Sequence, residues 1–213
     1  MKFLLLSVPV LDLQYPPSRP AIIKSCLESA GHEAVVFDTN ILLYQLAESY
    51  QRFDELSNLF EVCGVSEEWT DYTHALFDEE HVIIKTWLDH ITDRIKQESP
   101  DWLGISVFSY KSHKASLLVC MTVKQMFPDL KIVIGGRGAS SFPFGPDNSR
   151  FMKKLNKILG KKRLGKNFGD TLLAVDLADS FISGDGEQAV IELEEYAKTS
   201  ICILYTSQSQ RDY

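Results

Sequence analysis

Asp179-Ser-Phe-Ile-Ser-Gly-Asp-Gly-Glu-Gln-Ala-Val-Ile-Glu-Leu-Glu-Glu-Tyr196 passes from a short apolar strand, through Gly184-Asp185-Gly186-Glu187, directly into an amphipathic helix. Glycine lets the backbone turn sharply and approach a ligand, and the helix that follows presents unpaired N–H groups and the positive end of its dipole. Upstream, Lys131-Ile-Val-Ile-Gly-Gly-Arg-Gly138 repeats the pattern, an apolar strand running into Gly135-Gly136. Two strands of this kind in one sheet open toward the same crevice, and they set the reading of the rest of the chain.

Working outward, Lys2-Phe-Leu-Leu-Leu-Ser-Val8 is nearly continuous in apolar residues, as a strand buried on both faces should be, and a Pro-rich loop, Pro9 to Pro20, follows it. Ala21 to Ala30 places Ile22, Ile23, Cys26, Leu27 and Ala30 on one helical face, with Pro20 at its start and Gly31 as its stop. Glu33-Ala-Val-Val-Phe-Asp38 supplies the second strand and completes a βαβ unit, for which parallel pairing is expected. From Ile41 to Gln97 the pattern is helical and acidic, broken around Val62 to Asp71, so two or three helices are expected there. Pro100 to Phe108 gives the third strand, Ser109 to Lys114 the loop at its carboxyl end, and a helix then runs to Phe127. The fourth strand is Lys131 to Ile134 and the fifth Asp179 to Ser183.

This order specifies an α/β fold: a doubly wound, open parallel sheet of about five strands in the flavodoxin-like order 2-1-3-4-5, with helices on both faces. The loops Val8 to Arg19, Ser106 to His113, Gly135 to Ser140 and Gly184 to Glu187 then meet at one carboxyl edge. They are rich in Gly, Ser and Pro and carry no paired carboxylates, Ser-His-Asp set or metal-ligand cluster. A site of backbone and small hydroxyls suits holding a large flat cofactor or a nucleotide better than acid–base chemistry. The aspartate cluster of a phosphoryl receiver is missing from the first and third strand ends, and neither GxGxxG nor GxxxxGK[ST] follows the first strand.

The 213 residues suit one domain, read here as 1–198, with a basic insert at 139–178 and a tail, 199–213, that reads as an unfinished or frayed end. In the tail, Ile-Cys-Ile-Leu-Tyr is apolar enough to add an edge strand. The insert concentrates Arg150, Lys153, Lys154, Lys157, Lys161, Lys162, Arg163 and Lys166, while Phe151, Leu155 and Ile158 recur at helical spacing. A solvated amphipathic helix is the expectation there, with a partner-docking or nucleic-acid surface as the alternative, which sparse aromatic stacking groups disfavour. The net charge of −7 argues against nucleic acid as the main partner. Cys26, Cys63, Cys120 and Cys202 form no zinc pattern and are expected as buried thiols of a cytoplasmic protein. No apolar run reaches membrane-spanning length, so no membrane partner is expected.

Five features in sequence resemble the N-terminal cobalamin-binding domain of cobalamin-dependent radical S-adenosylmethionine enzymes: the Pro-Pro loop after the first strand, Ala30-Gly-His-Glu, Pro100-Asp-Trp-Leu-Gly-Ile-Ser, Ile132-Val-Ile-Gly-Gly, and the Asp179 to Ala189 stretch. The resemblance spans residues 2–198 apart from the insert. It implies a corrinoid ligand lying across the carboxyl edge with its nucleotide tail running down into the domain. It implicates Pro16 and Pro17 in the first loop, Ser106, Ser109 and Tyr110 in the third, Gly135 and Gly136 in the fourth, and Gly184, Gly186 and Glu187 in the fifth. For each glycine a turn or close helix packing competes with a ligand role, and for Glu187 a first-turn helix carboxylate does.

None of the five histidines has Asp two residues before it, as DxHxxG requires, so cobalamin is expected without a protein histidine on cobalt. His113 is expected as an exposed residue opening a helix rather than one facing the crevice. CxxxCxxC is also missing, so the chain is not expected to be catalytic alone, and a separate radical S-adenosylmethionine catalytic chain is the implied partner. Two other readings stand beside this one. One is a small nucleotide or sugar-phosphate enzyme at the same crevice, using Glu187, Asp185 or His113. The other is an interaction protein docking through Arg150 to Lys166.

Overall fold

A computed structural model describes residues 1–9, 11–14, 18–62, 79–141, 166–193 and 202–205. Six parallel strands form one sheet: β1 (Lys2–Ser7), β2 (Glu33–Asp38), β3 (Trp102–Ser106), β4 (Lys131–Gly135), β5 (Ser180–Ser183) and β6 (Cys202–Tyr205). Their order is β2-β1-β3-β4-β5-β6, which is the expected 2-1-3-4-5 arrangement extended at one edge by β6, paired in parallel with β5. β1 sits between β2 and β3, with Ser7 level with Asp38 on one side and with Ser106 on the other. The chain therefore reverses its direction of travel across the sheet between β1 and β3, the place where open α/β sheets form a crevice.

Strand side chains alternate between faces, which is why each apolar run feeds two cores. Phe3 and Leu5 join Leu27, Ala34, Trp102, Val133, Ile182 and Val190 on the face covered by α1 (Ser18–Ser29) and α7 (Gly186–Ile191). Leu4 and Leu6 turn the other way, into a larger core with Leu43, Trp87, Leu103, Ile105, Ile134 and Phe181. α2 (Thr39–Ala47), α3 (Tyr50–Val62), α4 (Glu79–Glu98), α5 (His113–Met126) and α6 (Phe168–Ala174) are the helices on that side. Trp87 is fully buried, with its indole N–H donating to Thr39 O at 2.8 Å.

Local signals account for the ends of these elements. Gly31 stops α1 in the left-handed region at φ 84°, and its N–H donates to Glu28 O while that of His32 donates to Leu27 O. The Asp38 carboxylate accepts from the N–H groups of Asn40 and Ile41 at 3.0 and 3.2 Å, capping α2 directly at the end of β2. Asp38→Ala is expected to lower the unfolding free energy by about 1 kcal/mol; an unchanged urea midpoint would mean that the cap contributes nothing.

The end of the insert packs into the domain. Phe168, Thr171 and Leu172 of α6 are completely buried, and a Cβ on Gly169 would overlap the ring of Phe181 in β5. This part of the insert belongs to the core, whereas its basic stretch, with Arg150 and its neighbours to Arg163, lies outside the described residues. The broken middle after Val62 does so as well.

Candidate functional site

On the α1/α7 face, the side chains shrink toward the carboxyl edge. Val133 is followed on that face by Gly135, and Trp102 by Gly104 and Ser106. The sheet and the two helices consequently fail to close against each other and leave a cleft that opens to solvent at the edge. Its floor is Leu5, Gly104 and Val133; Ile22 and Ile23 of α1 form one wall, and Ile182, Gly186 and Val190 the other. Arg19 and Glu187, both exposed, also line it.

Six of the ten residues expected at a site line this cleft: Ser106, Gly135, Gly136, Gly184, Gly186 and Glu187. Gly136 and Gly184 are glycines for a backbone reason too, with φ of 99° and 95°. A Cβ on Gly136 would stand 2.6 Å from Val107 O, because the β3 and β4 turns lie against each other. Gly135 and Gly186 face more open ground: the nearest atoms to an added Cβ are Ile182 Cβ at 3.9 Å and Ile23 Cδ1 at 3.2 Å.

The other four are placed differently. Ser109 does not line the cleft; its hydroxyl accepts from Lys111 N at 3.3 Å and starts the 3-10 turn Tyr110–Ser112. Tyr110 stands about half exposed on the same turn, with Phe108 exposed two residues before it. Pro16 and Pro17 lie outside the described residues. Gly104 and Arg19 are lining residues missed as candidates, although a lone glycine inside the buried run Trp102-Leu-Gly-Ile-Ser106 is a usual mark of close approach in a strand. A Cβ there would meet Leu5 Cδ2 at 2.7 Å.

His113 corrects the sequence reading outright. It is neither exposed nor turned to the crevice but completely buried at the start of α5. Its ring stacks on Phe168 with centroids 3.9 Å apart and planes within 5°. Nε2 lies 2.8 Å from Gly138 O, so that nitrogen carries the proton and donates. Ser141 Oγ, 3.3 Å from Nε2, donates to the same carbonyl at 2.6 Å. Burial pulls the His113 pKa down to about 4, against the raising effect of the Gly138 bond, and the ring is neutral at pH 7. The residue therefore fastens the β4 turn, whose first glycines form the cleft wall, and is not an acid–base group within the cleft.

Among the described residues no group of three or more His, Cys, Asp or Glu could hold a metal ion, and no helix is long and apolar enough to cross a membrane. A second depression, lined by Met1, Trp102, Phe127 and Lys131 among others, opens at the amino ends of the strands, opposite the small-residue loops. Fold and cleft together define an open α/β domain of the flavodoxin-like kind with a carboxyl-edge cleft built of glycine, serine and aliphatic side chains. Comparisons with protein-family models, with curated proteins and with solved structures gave no match.

Proposed function

We propose that the chain is a corrinoid-binding module, with the ligand across the carboxyl edge and its nucleotide tail in the cleft. One observation carries the reading: the cleft is a slot that runs from the edge at Ser106 and Gly135 down between sheet and helix to Gly104, and side chains at those glycines would crowd it. The residues present fit such a group. Gly135 and Gly186 let backbone approach it, Ser106 can bond its amides or phosphate, and Glu187 can accept from a ribose hydroxyl. Ser7 adds a further polar atom at this end of the sheet. It is level with Ser106, 1% exposed, and its hydroxyl has no hydrogen-bond partner. Phe108 and Tyr110 supply exposed aromatic surface on the adjoining turn.

A bound corrinoid supplies a cobalt centre able to carry an alkyl group or pass electrons; the protein's part is to bind and orient it. No histidine is assigned to cobalt in this reading, and a separate radical S-adenosylmethionine chain is the partner that would use the ligand. The nucleotide-enzyme alternative is weakened because His113 is withdrawn from the cleft, leaving Asp185 and Glu187 as its named acid–base candidates. A cytoplasmic location is part of the proposal, supported by the free thiols Cys26 and Cys120.

The test is an ultraviolet–visible titration with hydroxocobalamin and methylcobalamin, repeated on Gly135→Trp. Saturable binding without the spectrum of a histidine lower ligand, lost in the variant, is expected. A folded wild-type chain that leaves both spectra unchanged would end the corrinoid reading.

A further inference from the structure

Arg19 is the unusual member of the cleft. The lining is otherwise aliphatic or small apart from Glu187, which sits on the opposite helix beside Gly186. Arg19 and Ile23 are four residues apart on α1 and so share a helix face, and both line the cleft. A Cβ on Gly186 would come within 3.2 Å of Ile23 Cδ1, which brings the start of α7 against the same stretch of α1. Arg19 is exposed and makes no ion pair among the described residues. Lys2, Lys24, Lys85, Arg94, Lys96 and Lys124 face carboxylates, whereas Lys131 and Arg137, like Arg19, have no ion pair among the described residues, and of these three only Arg19 lines the cleft.

A guanidinium with no ion pair among the described residues, set beside an apolar slot, favours a ligand whose flat, apolar part enters the slot while an anionic group stays at the opening. Phosphate matches that demand best, since the guanidinium fork can bond two of its oxygens and the charge need not be desolvated. We infer that Arg19 determines specificity here: it makes the cleft select a ligand bearing a phosphate over the same ligand without it. The inference rests on the corrinoid reading for the identity of the ligand, but the phosphate selectivity itself comes from Arg19 and the slot.

Two ligand pairs separate the inference from the reading beneath it. Cobalamin carries a phosphodiester in its tail and cobinamide lacks the tail nucleotide; flavin mononucleotide carries a phosphate and riboflavin does not. Affinities are measured on the wild-type chain and on Arg19→Glu, with matching thermal melts to show that this exposed substitution leaves the fold intact. The expected result is about a tenfold loss of cobalamin affinity in the variant, with cobinamide unaffected and with salt weakening only the phosphate-bearing ligand. Equal effects on both members of a pair, or none on either, would overturn the role of Arg19. Should neither corrinoid bind while flavin mononucleotide binds with the same dependence on Arg19, the corrinoid reading fails and the phosphate selectivity stands. If none of the four ligands binds, both are overturned.

Discussion

Between pH 6.5 and pH 4 the unfolding free energy is expected to fall by about 3 kcal/mol through His113 alone. The sign follows from where the proton prefers to be. The unfolded chain takes up a proton on this ring at the ordinary histidine value near 6.5, whereas burial holds the folded ring neutral down to about 4. Across that window the unfolded state binds more protons, so stability is full above the unfolded value and is lost progressively as pH falls through the folded one. The physical obstacle to protonation is visible in the packing: a completely buried ring stacked on Phe168, with one nitrogen already engaged with Gly138 O.

His113→Gln keeps a neutral amide donor but cannot titrate, so it should be less stable at pH 7 and should lack this pH-dependent component. Urea denaturation of both proteins at pH 7.5, 5.5 and 4.5 reads the difference directly, because the carboxylates that titrate in the same range are common to the two chains. Identical pH profiles would sink the assignment. The loss should reach the cleft as well, since the His113 bond holds Gly138, and the turn containing it continues from Gly135 and Gly136 in the wall.

His113 also shows where the sequence stopped being informative. Apolar runs such as Lys2 to Ser7 and Lys131 to Gly135 announce strands because burial on both faces demands apolar residues at both parities. Strand order then follows from a few topological rules, which is why the sheet and its carboxyl edge were readable in advance. A histidine between two polar residues, Ser112 and Lys114, carries no such signature. Its burial depends on Phe168, 55 positions away and inside the 139–178 insert, whose basic pattern gives no sign of core packing. Arg19 is hidden for a related reason: by sequence it closes the Pro-rich loop, whereas α1 begins at Ser18 and carries it onto the same helical face as Ile23. Ser109 has a local role that its sequence position does not reveal. The resemblance implicates it in ligand contact, and the structure shows its hydroxyl accepting from Lys111 N to start the Tyr110–Ser112 turn.

Gly135 and Gly136 are adjacent, both line the cleft, and are expected to fail in opposite ways when substituted. Gly136→Ala meets two penalties that no rearrangement of a side chain relieves. Its φ of 99° lies where L residues are strained, and its new methyl would stand 2.6 Å from Val107 O, a backbone atom. That carbonyl is itself held in the turn by Gly138 N at 2.9 Å, while Val107 N donates to Gly135 O at 2.8 Å, so one turn cannot retreat without breaking the other. A loss of about 3 kcal/mol is expected. Gly135→Ala meets neither penalty: the residue ends a regular strand, and its methyl would find only Ile182 Cβ at 3.9 Å, an ordinary contact. Its stability should change by less than about 1 kcal/mol, while larger side chains at the same position are expected to fill the cleft and, on the proposed function, to abolish corrinoid uptake. Urea denaturation of the two alanine variants makes the comparison. Equal losses would mean that the cleft wall is a yielding loop; the expected asymmetry means that Gly136 fixes the wall and Gly135 keeps the space in front of it open.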